Sequence, residues 1–204
     1  TDTTLWQWRA QTTTVSFQKP AMMHPNCLAA ACQVLHVFAK SFSVSWSLVQ
    51  QVVASFQLMG RFERFALQHA EVVLDVAHNP AACQVLHQNL QTHFPHKRLC
   101  FFAGFGRDKD ALSCISLLHE SQSHWCFLPL LKRPCHAPEA LQAMLLSIDY
   151  TADGHWCSDV FIDPDLVLAH DKDHTVIVVV GSFLMVDAFR NIIRKTIATF
   201  DPKT

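Results

Sequence analysis

The amino-acid sequence predicts an α/β protein with a mostly parallel sheet flanked by helices. From residue 62 onward, short apolar stretches alternate with stretches of helical periodicity, at the spacing of strand–helix–strand units. The apolar runs 72–74 and 176–180 match strands that are buried on both faces of a sheet. Small or polar residues follow both runs directly, at the strand ends where open parallel sheets bind their ligands.

Strand and helix signals place the individual elements of this region. Asn79 suits the N-cap of a helix and Pro80 its first position, where no backbone N–H is needed. Cys83, Leu86 and Leu90 then lie on one helical face. We predict strands at 62–67, 71–75, 98–103, 124–129 and 175–180, a weaker strand near 158–162, and helices at 80–92, 109–119, 138–147, 163–170 and 184–198.

Residues 1–57 follow a different pattern. Alternating residues at 5–8 and 14–17 predict the strands of a hairpin, and helices are predicted at 26–38 and 45–56, the second capped by Ser45. So short a segment cannot cover its own apolar faces, and we therefore predict the tail of a larger domain, joined near 58–61 to a domain over 58–204. The helical stripes predicted to pack are Leu28, Ala31, Leu35 and Phe38, followed by Leu48, Val52 and Phe56.

Composition excludes several classes of protein. Half of the 204 residues are apolar and the formal net charge is −1, as in an ordinary globular protein. This balance gives no electrostatic basis for binding nucleic acid or an acidic membrane, and the five tryptophans are scattered. No apolar run approaches the roughly 20 residues of a membrane helix. Because the chain begins with Thr1 and carries no initiator methionine or signal peptide, we expect a processed or truncated cytoplasmic product.

The eight cysteines favour a reduced chain. The sequence contains no Cys-x-x-Cys pair and no export signal, so a disulfide framework is disfavoured. The thirteen histidines, including the neighbours Cys135 and His136, do not produce the spacing of a four-ligand zinc site. We therefore predict small apolar core cysteines and no metal site in this chain.

Three motifs together resemble a known family. Asp-Val-Ala-His-Asn-Pro at 75–80, preceded by Gly-Arg-Phe at 60–62, is similar to the Mur ligase superfamily, and within it to the dihydrofolate synthase/folylpolyglutamate synthase family. The loop 104–110 resembles the Gly-x-x-x-Asp-Lys-Asp loop of that family. The resemblance covers nearly the whole chain, but only the second half of such an enzyme. It implies a Rossmann-like C-terminal glutamate-ligase domain over 58–204, preceded by the C-terminal remnant of the central ATP-binding domain over 1–57.

The resemblance also implies a reaction. ATP phosphorylates the carboxylate of dihydropteroate or of a folate, the amine of L-glutamate attacks the acyl phosphate, and phosphate leaves. ATP and Mg²⁺ are the expected cofactors, and a monomer is expected. The phosphate loop Gly-x-x-x-x-Gly-Lys-Ser/Thr is missing from this sequence. In the resembling family that loop and the magnesium ligands lie upstream, so we expect this chain to fold but to be inactive alone.

Three residues are expected to bind ATP. Asp75 ends a strand, where a carboxylate can accept hydrogen bonds from ribose hydroxyls or hold a turn. Arg61 can clamp phosphates in a bidentate manner, or it can be an ordinary surface arginine. Asn26, at the start of a helix, is a cap by position alone. The resemblance assigns all three residues to ATP.

Two residues are expected to bind glutamate, and no residue is assigned to catalysis. The resemblance places His78 and Ser182 near the incoming glutamate, although position alone also fits a packed loop histidine and a helix cap. Lys109 and Asp110 can line a cleft between domains, but we favour their role in starting a helix.

Two other functions remain open at this point. The chain can belong to a different Mur-type ligase, such as one acting on UDP-muramoyl peptides. It can also be a non-catalytic nucleotide-binding module. A dehydrogenase is disfavoured because the Gly-x-Gly at 104–106 has no third glycine at the required spacing.

Overall fold

The computed structural model of the chain describes residues 5–11, 13–18, 23, 25–39, 41–67, 71–130, 133–156 and 175–200. The chain divides into two compact units, Thr1–Leu58 and Met59–Thr204.

The first unit is a hairpin covered by two helices. Strands β1 (Leu5–Ala10) and β2 (Thr13–Gln18) are antiparallel, and helices α1 (Pro25–Phe38) and α2 (Trp46–Ala54) follow them. The Ser45 Oγ accepts a hydrogen bond from the Leu48 N–H at 3.3 Å, which confirms the predicted cap of α2. The residues of the small core come from one face of the hairpin and from both helices: Trp8, Val15, Phe17, Leu28, Cys32 and Val53.

The predicted packing faces of these two helices are partly wrong. Helix α1 buries Leu28 and Cys32, whereas Phe38 is 53% exposed. Helix α2 buries Val53, whereas Leu48 and Val52 are 57% and 54% exposed. Both helices are apolar on more than one side, so their periodicity alone did not indicate which side meets the hairpin. Asn26 is also not a cap, because α1 begins at Pro25.

The second unit contains a six-stranded sheet, which confirms the predicted α/β class. Its strands are β3 (Glu63–Ala66), β4 (Glu71–Leu74), β5 (Arg98–Ala103), β6 (His124–Phe127), β7 (Asp153–Trp156) and β8 (Thr175–Val180), in the spatial order β3-β4-β8-β5-β6-β7. The β3–β4 pair is antiparallel and every other pair is parallel.

The far edge of this sheet differs from the prediction. Strand β7 was not predicted, because its sequence Asp-Gly-His-Trp has no apolar run, as is common for an edge strand. The strand predicted near 158–162 and the helix predicted at 163–170 lie outside the described residues.

Helices cover both faces of the sheet. They are α3 (Pro80–His93), α4 (Ala111–Leu118), α5 (Pro138–Ile148) and α6 (Phe183–Phe200). Helix α6 packs Met185, Val186 and Phe189 against one face, beside Leu74 and Val179. Within the strands, the side chains that alternate with Leu74 and Val179 point to the other face of the sheet. Helices α3, α4 and α5 pack there, each against the next. Within the described ranges, none of the helices has the length and apolar character needed to cross a membrane.

The helix caps and the buried cysteines of the structure agree with the predictions from the sequence. The Asn79 Oδ1 accepts from the Ala82 N–H at 2.9 Å, and the Asp110 Oδ1 accepts from the Ser113 N–H at 3.1 Å, so both residues cap the helices that follow them. Five cysteines are buried as free thiols and Cys157 lies outside the described residues; the five are Cys32, Cys83, Cys100, Cys114 and Cys126. Burial raises the pKa of the Cys32 thiol.

We predict that Gly181→Ala destabilises the second unit. Gly181 has φ +104°, and an added Cβ would lie 2.5 Å from the Gly104 carbonyl oxygen. The strained backbone and the clash together should lower the free energy of unfolding by about 1–3 kcal/mol or more, measured by urea denaturation. Ala66→Ser, at an exposed site on edge strand β3, is the control. An unchanged unfolding midpoint for Gly181→Ala would contradict the close approach of the two glycines.

Candidate functional site

Several of the predicted site residues lie at the carboxyl edge of the sheet, where the parallel strands of the second unit have their C-terminal ends. Strands β4, β8 and β5 are neighbours, and they are directly followed by Asp75, Gly181 and Gly104, respectively. The Asp75 N–H donates to the Val179 carbonyl at 2.9 Å, which continues the pairing of β4 with β8 to this edge. The structure thus brings Asp75, His78 and Ser182 to one side of the sheet, as expected for parallel strands.

Asp75 joins two backbone segments. Its side chain is buried; the Oδ2 accepts from the Phe62 N–H and the Oδ1 from the Ala77 N–H, both at 2.8 Å. Burial raises the pKa of Asp75 above its ordinary value, although both hydrogen bonds and the nearby Arg61 favour the ionised form. The geometry therefore gives Asp75 a structural role, and its contact with a nucleotide stays a prediction.

The turn before β3 approaches the end of β4 closely. Gly60 and Phe62 have φ of +69° and +44°, and the Gly60 carbonyl accepts from the Val76 N–H at 2.8 Å. A Cβ on Gly60 would lie 2.9 Å from Val76 Cγ1, so this position requires glycine. The buried Phe62 ring packs beside Phe94, which anchors the strained turn from the other side.

Arg61 stands at the surface of this turn. Its Nη1 lies 4.0 Å from the Asp75 Oδ1, and its side chain is 36% exposed. One long ion pair leaves most of the guanidinium donors available to a ligand. This arrangement agrees with the predicted phosphate contact without testing it.

An ion pair that the sequence did not reveal fixes the same turn to α6. Arg190 donates to both carboxylate oxygens of Glu63, and the Gly60 N–H donates to Glu63 Oε2 at 2.7 Å. Burial opposes ionisation of Glu63, but these hydrogen bonds outweigh it and hold the pKa of Glu63 below its ordinary value. No local pattern relates two residues this far apart in the sequence.

His78 and Ser182 lie at the starts of two helices. The His78 Nδ1–H donates to the Val76 carbonyl at 2.7 Å, so the neutral ring has Nε2 available as an acceptor. The ring centroid of His78 lies 6.4 Å from that of Phe183. The buried Ser182 Oγ accepts from the Leu184 N–H at 3.2 Å, which makes Ser182 the cap of α6. Their contact with glutamate stays a prediction.

Ion pairs and a helix cap hold the loop after β5. Asp108 pairs with Lys109 at 2.8 Å and with Arg133 at 2.9 Å, and Asp110 caps α4. The interpretation of Asp110 as a helix cap is confirmed. The sequence did not suggest the contribution of Arg133, because it comes from the separate segment after β6.

Asn26 belongs to the first unit. Together with Trp6 and Gln7 it lines a groove of about 360 Å³. The other lining residues are Leu5, Trp8, Phe17, Pro25, Leu28 and Ala29. An amide beside an aromatic wall can bind a planar base, but the contact with ATP stays a prediction.

The structure was searched for clusters of metal-binding side chains among the described residues. In those parts of the chain, no three His, Cys, Asp or Glu side chains are grouped so that they could hold a metal ion.

We predict that Asp75→Ala destabilises the second unit at neutral pH. The substitution leaves the Phe62 and Ala77 N–H groups without their acceptor. Each unpaired buried donor costs about 1–3 kcal/mol, so the free energy of unfolding should fall by at least this amount in urea denaturation. Asp108→Asn is the control, because Asp108 is exposed and solvent screens its ion pairs. Equal stability of the two variants would contradict the structural role of Asp75.

We predict a pH-dependent effect for Glu63→Gln. Because the pKa of Glu63 is lowered in the folded state, its stabilising contribution is present above the unfolded pKa of about 4.3 and is lost as the pH falls through the folded pKa. The free energy of unfolding of the variant should therefore be about 1.5–3 kcal/mol lower than that of the unchanged protein at pH 7. This difference should shrink towards pH 3. Urea denaturation across this range measures it, with the exposed Glu139→Gln as control. A difference that does not change with pH would contradict the ion pair.

Comparison with known proteins extends these observations. The dihydrofolate synthase/folylpolyglutamate synthase of Escherichia coli is 27% identical over 164 residues, which are 80% of this chain and 36% of that protein. The one of Buchnera aphidicola is 25% identical over 173 residues, which are 79% of this chain and 38% of that protein. The crystal structure of the bifunctional folylpolyglutamate synthase/dihydrofolate synthase of Yersinia pestis, complexed with AMPPNP and Mn, matches 95% of this chain and 46% of its own, with a TM-score of 0.74 and 23% identity.

These matches support the fold and show how much of each related protein the chain covers. The chain spans less than half of the length of each of these proteins. The family model described as Mur ligase, glutamate ligase domain matches residues 60–183 and thus includes Arg61, Asp75, His78 and Ser182. Because this match covers more than half of the chain, the chain belongs to the Mur ligase family, of which it carries the glutamate ligase domain.

Proposed function

We propose that this chain is part of an ATP-dependent ligase that adds L-glutamate to dihydropteroate and to folates through an acyl phosphate. The observation that carries the proposal is the match to a glutamate ligase domain whose matched residues include the polar cluster at the carboxyl edge of the sheet. The E. coli and B. aphidicola relatives, both named dihydrofolate synthase/folylpolyglutamate synthase, supply the acceptor class.

In this proposal residues 1–57 are the C-terminal remnant of the ATP-binding domain, and they bind the base of ATP. Asn26 lines the groove together with Trp6, and an asparagine amide can pair with two adjacent atoms of an adenine edge. The groove of about 360 Å³ has room for a planar base.

Residues 58–204 form the glutamate-ligase domain, which contacts the phosphates and ribose. The half-exposed Arg61 guanidinium suits the phosphates, because its planar fork binds two oxygens at once. Asp75 holds the turn that carries Arg61, through the Phe62 N–H, and it also offers its remaining lone pairs to a ribose hydroxyl.

In this proposal, the glutamate substrate binds between the N-termini of α3 and α6. The N-termini of α3 and α6 lie at the same edge, next to His78 and Ser182, and each carries partial positive charge. This charge suits the carboxylates of L-glutamate, and His78 Nε2 is available to accept a hydrogen bond from its neutral amino group or to hold a bound water. The polar edge thereby orients the amine that attacks.

ATP supplies the phosphoryl group, because an unmodified carboxylate is a poor electrophile. The residues of this chain then contribute position and charge rather than covalent chemistry. We expect the ligands of the magnesium in the part of the enzyme that this chain does not cover.

The test is phosphate release from ATP with magnesium, L-glutamate and dihydropteroate or a folate. We expect no turnover by this chain alone, and turnover when it is joined to the part of the E. coli relative that it does not cover. Arg61→Ala and Asn26→Ala should raise the KM for ATP, and His78→Ala the KM for L-glutamate, each by about tenfold to a hundredfold because a polar contact is lost. Gln33→Ala, at an exposed position of α1, is the control.

Three outcomes would contradict this proposal. Turnover by the chain alone would show that it needs no further phosphate-binding segment. Turnover only with UDP-muramoyl-peptide acceptors would indicate another Mur-type ligase. Nucleotide binding without turnover with any acceptor would indicate a non-catalytic module.

A further inference from the structure

An exposed phenylalanine lies beside the residues expected to bind L-glutamate. Phe183 is the first residue of α6, directly after the capping Ser182, and it is 62% exposed. Other phenylalanines of the second unit are enclosed, and six of them are at most 2% exposed: Phe62, Phe101, Phe102, Phe105, Phe127 and Phe189. Phe183 therefore differs from the packed aromatic residues of its own unit.

The side of α6 that packs against the sheet does not include Phe183. This helix contributes Met185, Val186, Phe189 and Ile193 to the core. The residue after Phe183, Leu184, is also outside the core and is 43% exposed. Because the described fold buries neither side chain, the start of α6 presents a small apolar surface that a ligand can cover.

The ring of Phe183 lies at the carboxyl edge of the sheet. Side chains of an α-helix incline towards its N-terminus, so a large side chain at the first position reaches towards the start of the helix. The ring centroid of Phe183 lies 6.4 Å from that of His78, which follows the neighbouring strand β4. An aromatic surface thus adjoins the histidine that we expect to contact L-glutamate.

The two acceptor classes of the proposed reaction differ close to the reacting carbon. In dihydropteroate, the carboxyl group that becomes the acyl phosphate is attached directly to a benzene ring. In a folate, an amide and the methylene groups of a glutamate residue separate the reacting carboxyl group from that ring. The attacking nitrogen must come within about 3–3.5 Å of the acyl carbon. A glutamate held at His78 therefore has an aromatic ring next to it with dihydropteroate, and an aliphatic chain next to it with a folate.

We propose that Phe183 is a specificity-determining residue, which contacts the benzene ring of dihydropteroate and favours this acceptor over folates. The inference rests on the proposed function for the reaction and for the position of L-glutamate. Two aromatic rings attract each other in edge-to-face or offset-stacked arrangements, at centroid distances of about 4.5–7 Å. An aliphatic chain in the same place gains only from the burial of its methylene groups, which any apolar side chain provides.

Steady-state kinetics with each acceptor in turn tests this proposal. The protein used is this chain joined to the part of the E. coli relative that it does not cover. We expect Phe183→Leu to lower kcat/KM for dihydropteroate by about fivefold to tenfold, because the ring contact is lost while an apolar side chain remains. For a folate with one glutamate, kcat/KM should change by less than about twofold. Phe183→Tyr keeps a ring and should restore activity with dihydropteroate.

Leu146→Ala is the control, because Leu146 is an exposed apolar residue of α5, a helix that carries none of the candidate site residues. It should leave both activities unchanged. Circular dichroism should show that the Phe183 variants fold, since Phe183 is exposed.

Three outcomes would overturn the proposal. One is an equal loss with both acceptors, or no loss with dihydropteroate, for Phe183→Leu. Another is a higher KM for L-glutamate with both acceptors, which would indicate that Phe183 contacts the glutamate instead. The third is an absence of turnover by the unchanged joined protein with either acceptor, which would contradict the proposed function and this inference with it.

Discussion

The carboxylate of Asp75 is the contact on which the candidate site depends. It accepts hydrogen bonds from the Phe62 and Ala77 N–H groups, and so it fixes the turn before β3 to the loop that leads into α3. Arg61 lies on the first of these segments and His78 on the second. The relative position of the two candidate ligand-binding side chains therefore follows from one buried acidic group, which holds backbone donors that would otherwise be unpaired.

Around this contact the structure uses close backbone approaches and one distant ion pair. Gly60 and Gly181 occupy left-handed conformations at positions where a Cβ would meet Val76 or the Gly104 carbonyl. Arg190 of α6 reaches Glu63 and ties the turn to the helix that Ser182 caps. These contacts hold the backbone of the candidate site in place, and a site that is held in place before binding loses less entropy on association.

The two units differ in how completely they bury their apolar residues. In the second unit, helices cover the sheet on both faces, and Val72, Ile177 and Phe189 are almost fully enclosed. In the first unit, the helices cover the hairpin, but Val34, Phe38 and Val52 remain exposed. This contrast explains why the same periodicity argument succeeded for α3 and failed for α1 and α2: a stripe identifies an apolar side, and a helix with two such sides needs its neighbours to distinguish them.

The sequence by itself determined the α/β class and the alternation of strands and helices that gives a mostly parallel sheet. It also determined the caps at Ser45, Asn79 and Asp110 and the polar strand end at Asp75. Each of these follows from local periodicity or from short-range hydrogen bonding. Only the tertiary structure decided the partners of those residues. The hydrogen bond from the Phe62 N–H to Asp75, the pairing of Glu63 with Arg190, and edge strand β7 depend on segments that are distant in the chain. Local patterns contain no information about such contacts, since they form only when the sheet brings its strand ends together.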